Sequence, residues 1–294
     1  MKTVLIAGGT GLIGRKLTSV LKERGFKVYK LSRKNTRRRG YITWNPELQT
    51  ADSKNFHKIN ILVNLVGSNI AEKSWTEGRK KELIQSRVNT TLFLRKLAGQ
   101  MPNLDYYISA SGINCYGPES AHVHTEEDPL GSDFLSQLVK EWEAASDTFS
   151  DIVPVTKLRI AMVLSKEGGA LRKMKLPFKF GFGAALGTGK QNMPWIHLDD
   201  LCRMFVFSIE NNLDGVFNAF SACTSNIDFS MALAKAVKRP FIMPNIPSKF
   251  LRFFLGERAS ILLDGIKVSN DKIVSKGFTF QHKTIGTTLK HLMK

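Results

Sequence analysis

Between an apolar run, Thr3 to Ala7, and the first amphipathic stretch lies Gly8-Gly9-Thr10-Gly11-Leu12-Ile13-Gly14, a G-x-x-G-x-x-G pattern. Glycines at that junction permit a tight turn and let backbone amides close on a pyrophosphate, while the following helix start supplies N–H donors and partial positive charge. The pattern fits a dinucleotide, and Gly8, Thr10, Gly11, Leu12 and Ile13 are its expected contacts. The next apolar run ends in Ser32-Arg33-Lys34, where a site for NAD would place Asp or Glu against the ribose 2′-hydroxyl. A guanidinium there binds a 2′-phosphate that a carboxylate would repel. The expected cofactor is therefore NADP(H), with Arg33 as discriminator and Ser32 as a second donor. Arg37, Arg38 and Arg39 add positive field beside them.

The elements that position these residues follow from apolar spacing. Thr3 to Ala7 reads as a strand buried on both faces; Ile13, Leu17, Val20 and Leu21 form a helical stripe that Gly25 ends; Phe26 to Leu31 is a second strand. This strand, helix and strand within about thirty residues is a parallel crossover unit. Tyr41 to Trp44, Ile59 to Val66, Tyr106 to Ser109 and Thr156 to Val163 read as further strands. Helices are expected over Trp75 to Leu97 and Asp133 to Phe149. Beyond Gly168 a glycine-rich insertion reaches Gly189, followed by a helix over Leu198 to Glu210, a strand over Gly215 to Phe220 and a helical stripe through Phe229, Leu233, Ala236 and Val237. The stretch after Pro240, Pro244 and Pro247 reads as mixed helices and short strands. The expected fold is α/β: a Rossmann-type doubly wound parallel sheet (1–165 and 190–222) with a smaller α/β substrate-facing domain built from an insertion and the C-terminus (166–189 and 223–294).

Composition agrees. The chain has 294 residues, 43% hydrophobic and 23% charged, which excludes disordered and collagen-like classes. Cys115, Cys202 and Cys223 are scattered and odd in number, so neither a disulfide framework nor a thiolate zinc site is expected, and a reducing cytoplasm fits. No apolar run approaches the roughly 18–20 residues of a membrane span, so no membrane partner is expected. The net charge of +18 gathers in residues 1–100, with 21 basic against 6 acidic side chains. That field draws phosphates of any kind, yet no nucleic-acid motif accompanies it.

Other constellations carry weaker chemistry. His122-x-His124 with Glu126 lies in an acidic loop and reads as solvated; no metal site is expected. His197 faces a substrate in one reading, with Asp199 capping the following helix. Arg159 contacts an anionic substrate or pairs with an internal acid, and Phe178, Phe180, Phe182 and Trp195 suggest an apolar pocket wall.

The stretches GGTGLIG, NLVGSNI with Trp75, SRVNTT, LRIAMVLSKEGGAL, PWIHLDDL and ERASILLDGIKVSNDKIVSKGFTF together resemble an atypical, extended short-chain dehydrogenase/reductase of the NAD-dependent epimerase/dehydratase type. The similarity is closer to the subgroup called epimerase family proteins, also labelled cell-division inhibitors, and runs through nearly the whole chain. It implies that Asn64, Leu65, Val66 and Gly67 lie beside the adenosine-side ribose and phosphates, with Asn89 structural or cofactor-adjacent. It also implies that Ser111 orients a substrate carbonyl and that Tyr116 sits at the mouth of the nicotinamide pocket as the substitute acid. The family's Tyr-x-x-x-Lys pair aligns with Ser136 and Lys140, so the lysine is present and the tyrosine is replaced. The resemblance thus implies an NADP(H)-dependent oxidoreductase or epimerase acting on a small substrate, with a homodimer through the two long helices suggested by the wider family and a catalytically weak, regulatory NADP(H)-binding protein as the alternative.

Overall fold

The structure, a computed structural model, describes residues 1–34, 38–118 and 122–293; Arg37 lies outside them. Strand β1 (Thr3–Ala7) is buried at every position because β2 (Lys27–Ser32) and β5 (Ile61–Asn64) flank it in parallel, Val4 lying opposite both Val28 and Ile61. On one side the sheet continues from β2 to β3 (Tyr41–Asn45) and a short antiparallel edge strand, β4 (Thr50–Ala51). On the other it runs through β6 (Tyr106–Gly112) and β7 (Val155–Ile160) to β10 (Gly215–Ala219). The chain builds outward from β1 in one direction and then from β5 in the other, so the order reverses between them. A crevice opens at such a reversal, beyond the carboxyl ends of the strands.

Helix α1 (Leu12–Glu23) and α5 (Leu198–Glu210) cover one face, burying Leu17, Leu21, Leu201 and Phe205 against Val4, Ile6, Val63 and Ile108. Helices α2 (Glu77–Ala98) and α3 (Phe134–Asp147) cover the other, where Phe93 and Leu97 pack near Leu5, Leu62 and Tyr107. Tyr107 stacks on Phe149 with centroids 3.7 Å apart. Each such side chain contributes about 1.5–3 kcal/mol by leaving water.

The expected strand Thr156 to Val163 divides. At Ala161, whose amide donates to the Ala219 carbonyl, the chain leaves the large sheet, and β8 (Met162–Leu164) joins β9 (Asn192–His197) and β11 (Ala222–Ser225) in a second sheet. That small sheet draws on both sides of the boundary expected at residue 222. Helix α4 (Ala170–Lys179) fills the glycine-rich insertion, and α6 (Asn226–Ala236) packs beneath it. Short strands expected at the C-terminus are not formed among the described residues. The chain there makes α7 (Ser248–Leu255), α8 (Ser260–Leu263), α9 (Asp271–Ser275) and α10 (Ile285–Met293), with single bridges Leu186 to Ile246 and His124 to Val268. Pro244 and Pro247 have no N–H to give a ladder, which limits Ile246 to one point of pairing.

Candidate active site at the strand ends

The glycine-rich turn occupies the crevice. Gly8 has φ +83°, and a Cβ there would lie 2.9 Å from the Leu65 carbonyl; a Cβ on Gly14 would lie 2.4 Å from the Gly8 oxygen. Only glycine allows the loop, the helix start and the end of β5 to meet this closely. Gly11 is the N-cap of α1 without a side-chain cap, and the first turn holds no acid. The amides and partial positive charge of α1 are therefore open toward an anion, with Thr10 and Gly11 exposed and Leu12 and Ile13 half-buried. These features fit a dinucleotide pyrophosphate. Leu12 also abuts Gly168 and Gly169, so the entry to α4 closes against the same turn.

Arg33 is exposed at the end of β2. Ser32 is committed locally: its Oγ donates to the Lys34 carbonyl at 3.0 Å and accepts from the Lys34 amide at 3.2 Å. It shapes the turn that presents Arg33. Asn64 is also committed, its Nδ2 donating to Thr91 Oγ1 at 2.9 Å and Tyr107 Oη at 3.1 Å, while its Oδ1 accepts the Val66 amide. Its side chain fixes the end of β5 and leaves the Leu65, Val66 and Gly67 backbone to border the crevice. Arg87, buried beneath that backbone, donates to the Ser68 and Leu83 carbonyls and lies over Trp142. Burial first, then the charge of Arg79, lowers its pKa to about 10. Asn89 is exposed on α2.

Ser111, Arg159 and Asn218 stand in one row across β6, β7 and β10. Ser111 Oγ donates to Glu143 Oε1 at 2.6 Å, and Arg159 grips the same carboxylate through Nε and Nη2, both at 2.9 Å. Arg159 Nη1 donates to Tyr116 Oη at 2.7 Å, and that phenol donates to Asn218 Oδ1 at 2.8 Å. The Asn218 amide closes the network on Glu126 Oε1 at 2.7 Å. All six residues are buried. Burial pushes the Tyr116 phenol well above its ordinary pKa. Burial works against the Arg159 charge, but Glu143 more than offsets it and raises the pKa of Arg159. Arg159 thus has the internal acid partner, and Ser111 and Tyr116 are brought together through it.

Lys140 does not join them. Leu135, Ser136, Leu138, Val139, Trp142 and Glu143 form the buried face of α3, whereas Lys140 is exposed. Ser136 faces Gly131, whose Cβ would fall 2.7 Å from its Oγ. Leu135 and Val139, one residue before Ser136 and Lys140, face inward together, and neither can hold a proton. The sequence reading missed Glu143, Asn218 and Arg87 as polar members of the crevice; a lone Glu in the apolar stripe of α3 was the signal available for Glu143.

The weaker constellations resolve as structure. His197, not Asp199, caps α5, its Nδ1 accepting the Asp199 amide at 3.0 Å; the helix begins two residues earlier than a cap at Asp199 requires, and Asp199 pairs with Lys16 at 2.9 Å. His122 pairs with Asp128, and His124 stacks on Tyr116. Those two histidines and Asp128 stand close enough for a metal, whereas Glu126 turns inward to Asn218. Phe178 and Trp195 are core; Phe180 and Phe182 face solvent.

A parallel sheet with a glycine-rich turn after its first strand and a polar row at the neighbouring strand ends defines a Rossmann-fold protein of the short-chain dehydrogenase/reductase kind. Residues 4–141 match the NAD dependent epimerase/dehydratase family, and residues 246–292 match a domain of unknown function, DUF1731. The epimerase family protein SDR39U1 of Mus musculus is 35% identical over 99% of both chains, and the epimerase family protein SH2119 of Staphylococcus haemolyticus is 33% identical over 100% of this chain and 99% of that one. The crystal structure of human SDR39U1 with NADPH superposes with a TM-score of 0.91 at 34% identity, covering 99% of each chain. UDP-N-acetylglucosamine 4-epimerase from Bacillus cereus shares the fold at 14% identity, with a TM-score of 0.81 over 100% of this chain and 98% of that one. The chain belongs to the epimerase family, with a DUF1731 segment at its C-terminal end.

Proposed function

We propose that this chain is a cytoplasmic NADP(H)-dependent oxidoreductase or epimerase that takes a small substrate into the crevice beyond β1, β5 and β6. The observation that carries this reading is the glycine cradle at an uncapped, acid-free helix start with Arg33 exposed beside it. The relative solved with NADPH supports the choice of nucleotide. A bound nicotinamide supplies hydride transfer; the rest is the work of this chain's residues. The α1 amides hold the pyrophosphate and Arg33 the 2′-phosphate. Ser111, its hydrogen committed to Glu143, retains oxygen lone pairs that accept from a substrate hydroxyl. This departs from the carbonyl-orienting role that the family resemblance implies. Tyr116 stays protonated at neutral pH and steadies Arg159 and Asn218 around that serine.

The test is absorbance at the nicotinamide band after purified protein saturated with NADPH meets deproteinised cell extract, with Ser111→Ala and Tyr116→Phe in parallel. Wild type is expected to consume NADPH, and Ser111→Ala to do so at least about a hundredfold more slowly. One observation favours a second reading, a regulatory protein that holds NADP(H) without turnover: α3 turns Leu135 and Val139 inward and Lys140 outward. NADPH held tightly and never consumed selects it. A homodimer through the outer faces of α2 and α3, where Leu92 is exposed, completes the reading and is checked by light scattering.

A further inference from the structure

Two helices of the smaller region hold aromatic side chains out in water. On α7 the rings of Phe250, Phe253 and Phe254 cluster, with centroids 4.5 Å and 5.2 Å apart, and Phe253 is 83% exposed. Of that helix only Leu251 is buried. Just past α4, Phe180 is 70% exposed and Phe182 is exposed as well. The two groups are tied by backbone, for Gly187 donates to the Ile246 carbonyl and Ile246 to the Ala185 carbonyl, both at 2.8 Å. Apolar clusters of this size on a protein surface mark contact with something else.

The charge carried by these two helices has one sign, the neighbouring acids Glu257 and Asp264 facing Lys80 at 2.8 Å and Arg252 at 3.8 Å. Helix α4 presents Arg172, Lys173 and Lys179 to solvent, α7 presents Lys249 and Arg252, and neither helix contains an acid. A second copy seated on this face would set like charges together, so complementarity selects an anionic partner. The clustered rings and the basic side chains share one helix, as on a helix that beds its apolar side at the boundary of headgroups and acyl chains. No helix of the described residues is long and apolar enough to cross a membrane, so contact of this kind is peripheral. We propose that the α4 and α7 face docks on a bilayer surface rich in anionic phospholipid, with the phenylalanines entering the upper acyl region and the lysines and arginines at the phosphates. This departs from the expectation of no membrane contact, which rested on hydropathy runs that detect spanning segments only.

The experiment is co-sedimentation of the full chain, with NADPH present, on vesicles of phosphatidylcholine alone or with phosphatidylglycerol as a third of the lipid. Partition onto the anionic vesicles is expected to be at least about tenfold stronger and to fade at about 0.5 M salt. The double variant Phe253→Ser with Phe254→Ser should weaken it about tenfold or more while NADPH binding is unchanged, since both side chains are exposed. Equal partition on the two vesicle types overturns the proposal. So does anionic binding that the double variant leaves untouched, which would reduce the effect to net charge. Self-association without vesicles that the same variant abolishes would assign the face to a second copy instead.

Discussion

A methyl group on Gly14 would need space that the Gly8 oxygen and the Gly9 Cα already fill, at 2.4 Å and 2.6 Å. Both obstacles are backbone, so Gly14→Ala must push α1 off the turn. The expected cost is about 1–3 kcal/mol of stability, read as a lower denaturation midpoint, together with at least about tenfold weaker NADPH binding in fluorescence titration. Arg33 tests cofactor choice separately from folding because it is exposed. A charge-assisted bond to phosphate is worth about 1.5–3 kcal/mol, so Arg33→Asp should weaken NADPH by about 10- to 100-fold and improve NADH. Equal affinities of the wild type for both nucleotides would remove Arg33 from that role. The glycine turn and the exposed placement of Arg33 at the end of β2 were legible because each is set by the chain within a few residues of itself. Lys140 was not, because the phase of one lysine on a helix is set by what packs against it, and Leu135, Val139 and Trp142 claim the inner face.

At the scale of elements, α5 shows what apolar spacing resolves. Its expected limits, Leu198 to Glu210, coincide with the helix because Leu201, Phe205 and Ile209 mark one stripe and the chain turns at both ends. The row of Ser111, Arg159 and Asn218 was invisible by the same measure, since three strands far apart in sequence meet only in the sheet register, and Glu143 reaches them from a helix. The anchoring of the C-terminal segment was hidden likewise. Asp200, fully buried, accepts the amides of Gln281 and His282 and pairs with Arg203 at 2.7 Å. Asp200→Ala removes the buried carboxylate that these two amides and Arg203 share and is expected to cost about 3 kcal/mol. The check is a lower urea midpoint. The C-terminal segment should exchange its amide hydrogens ahead of the sheet.

Across the whole molecule, the two regions meet at a histidine stack whose protonation opposes folding. His197, 4% exposed at the start of α5, stacks on His282 of the C-terminal segment at 3.7 Å between centroids, and His291 of α10 stands edge-on at 6.0 Å. Burial, and after it the charge of His282, lowers the His197 pKa to about 4, against which Asp199 and Asp200 pull upward and His291 adds to the lowering. His197 and His291 line a cavity that Lys16, paired with Asp199, and Lys166 and Glu167 also border. The unfolded chain takes up the proton near pH 6.5 while the folded chain refuses it until about pH 4, so between those values the unfolded state binds more protons and stability falls as pH falls. The loss through that window is about 3 kcal/mol. His124, also lowered by burial first, adds to the slope with the same sign. Asp128, held at about 2 by the Thr125 amide, adds its own loss only at lower pH. His197→Asn keeps a side chain that can cap α5 but removes the proton acceptor. Urea unfolding between pH 4 and 7 should therefore show a markedly flatter stability profile for that variant, with the wild type converging on it toward neutral pH. Parallel profiles would mean that the histidine stack holds the two regions together without sensing pH.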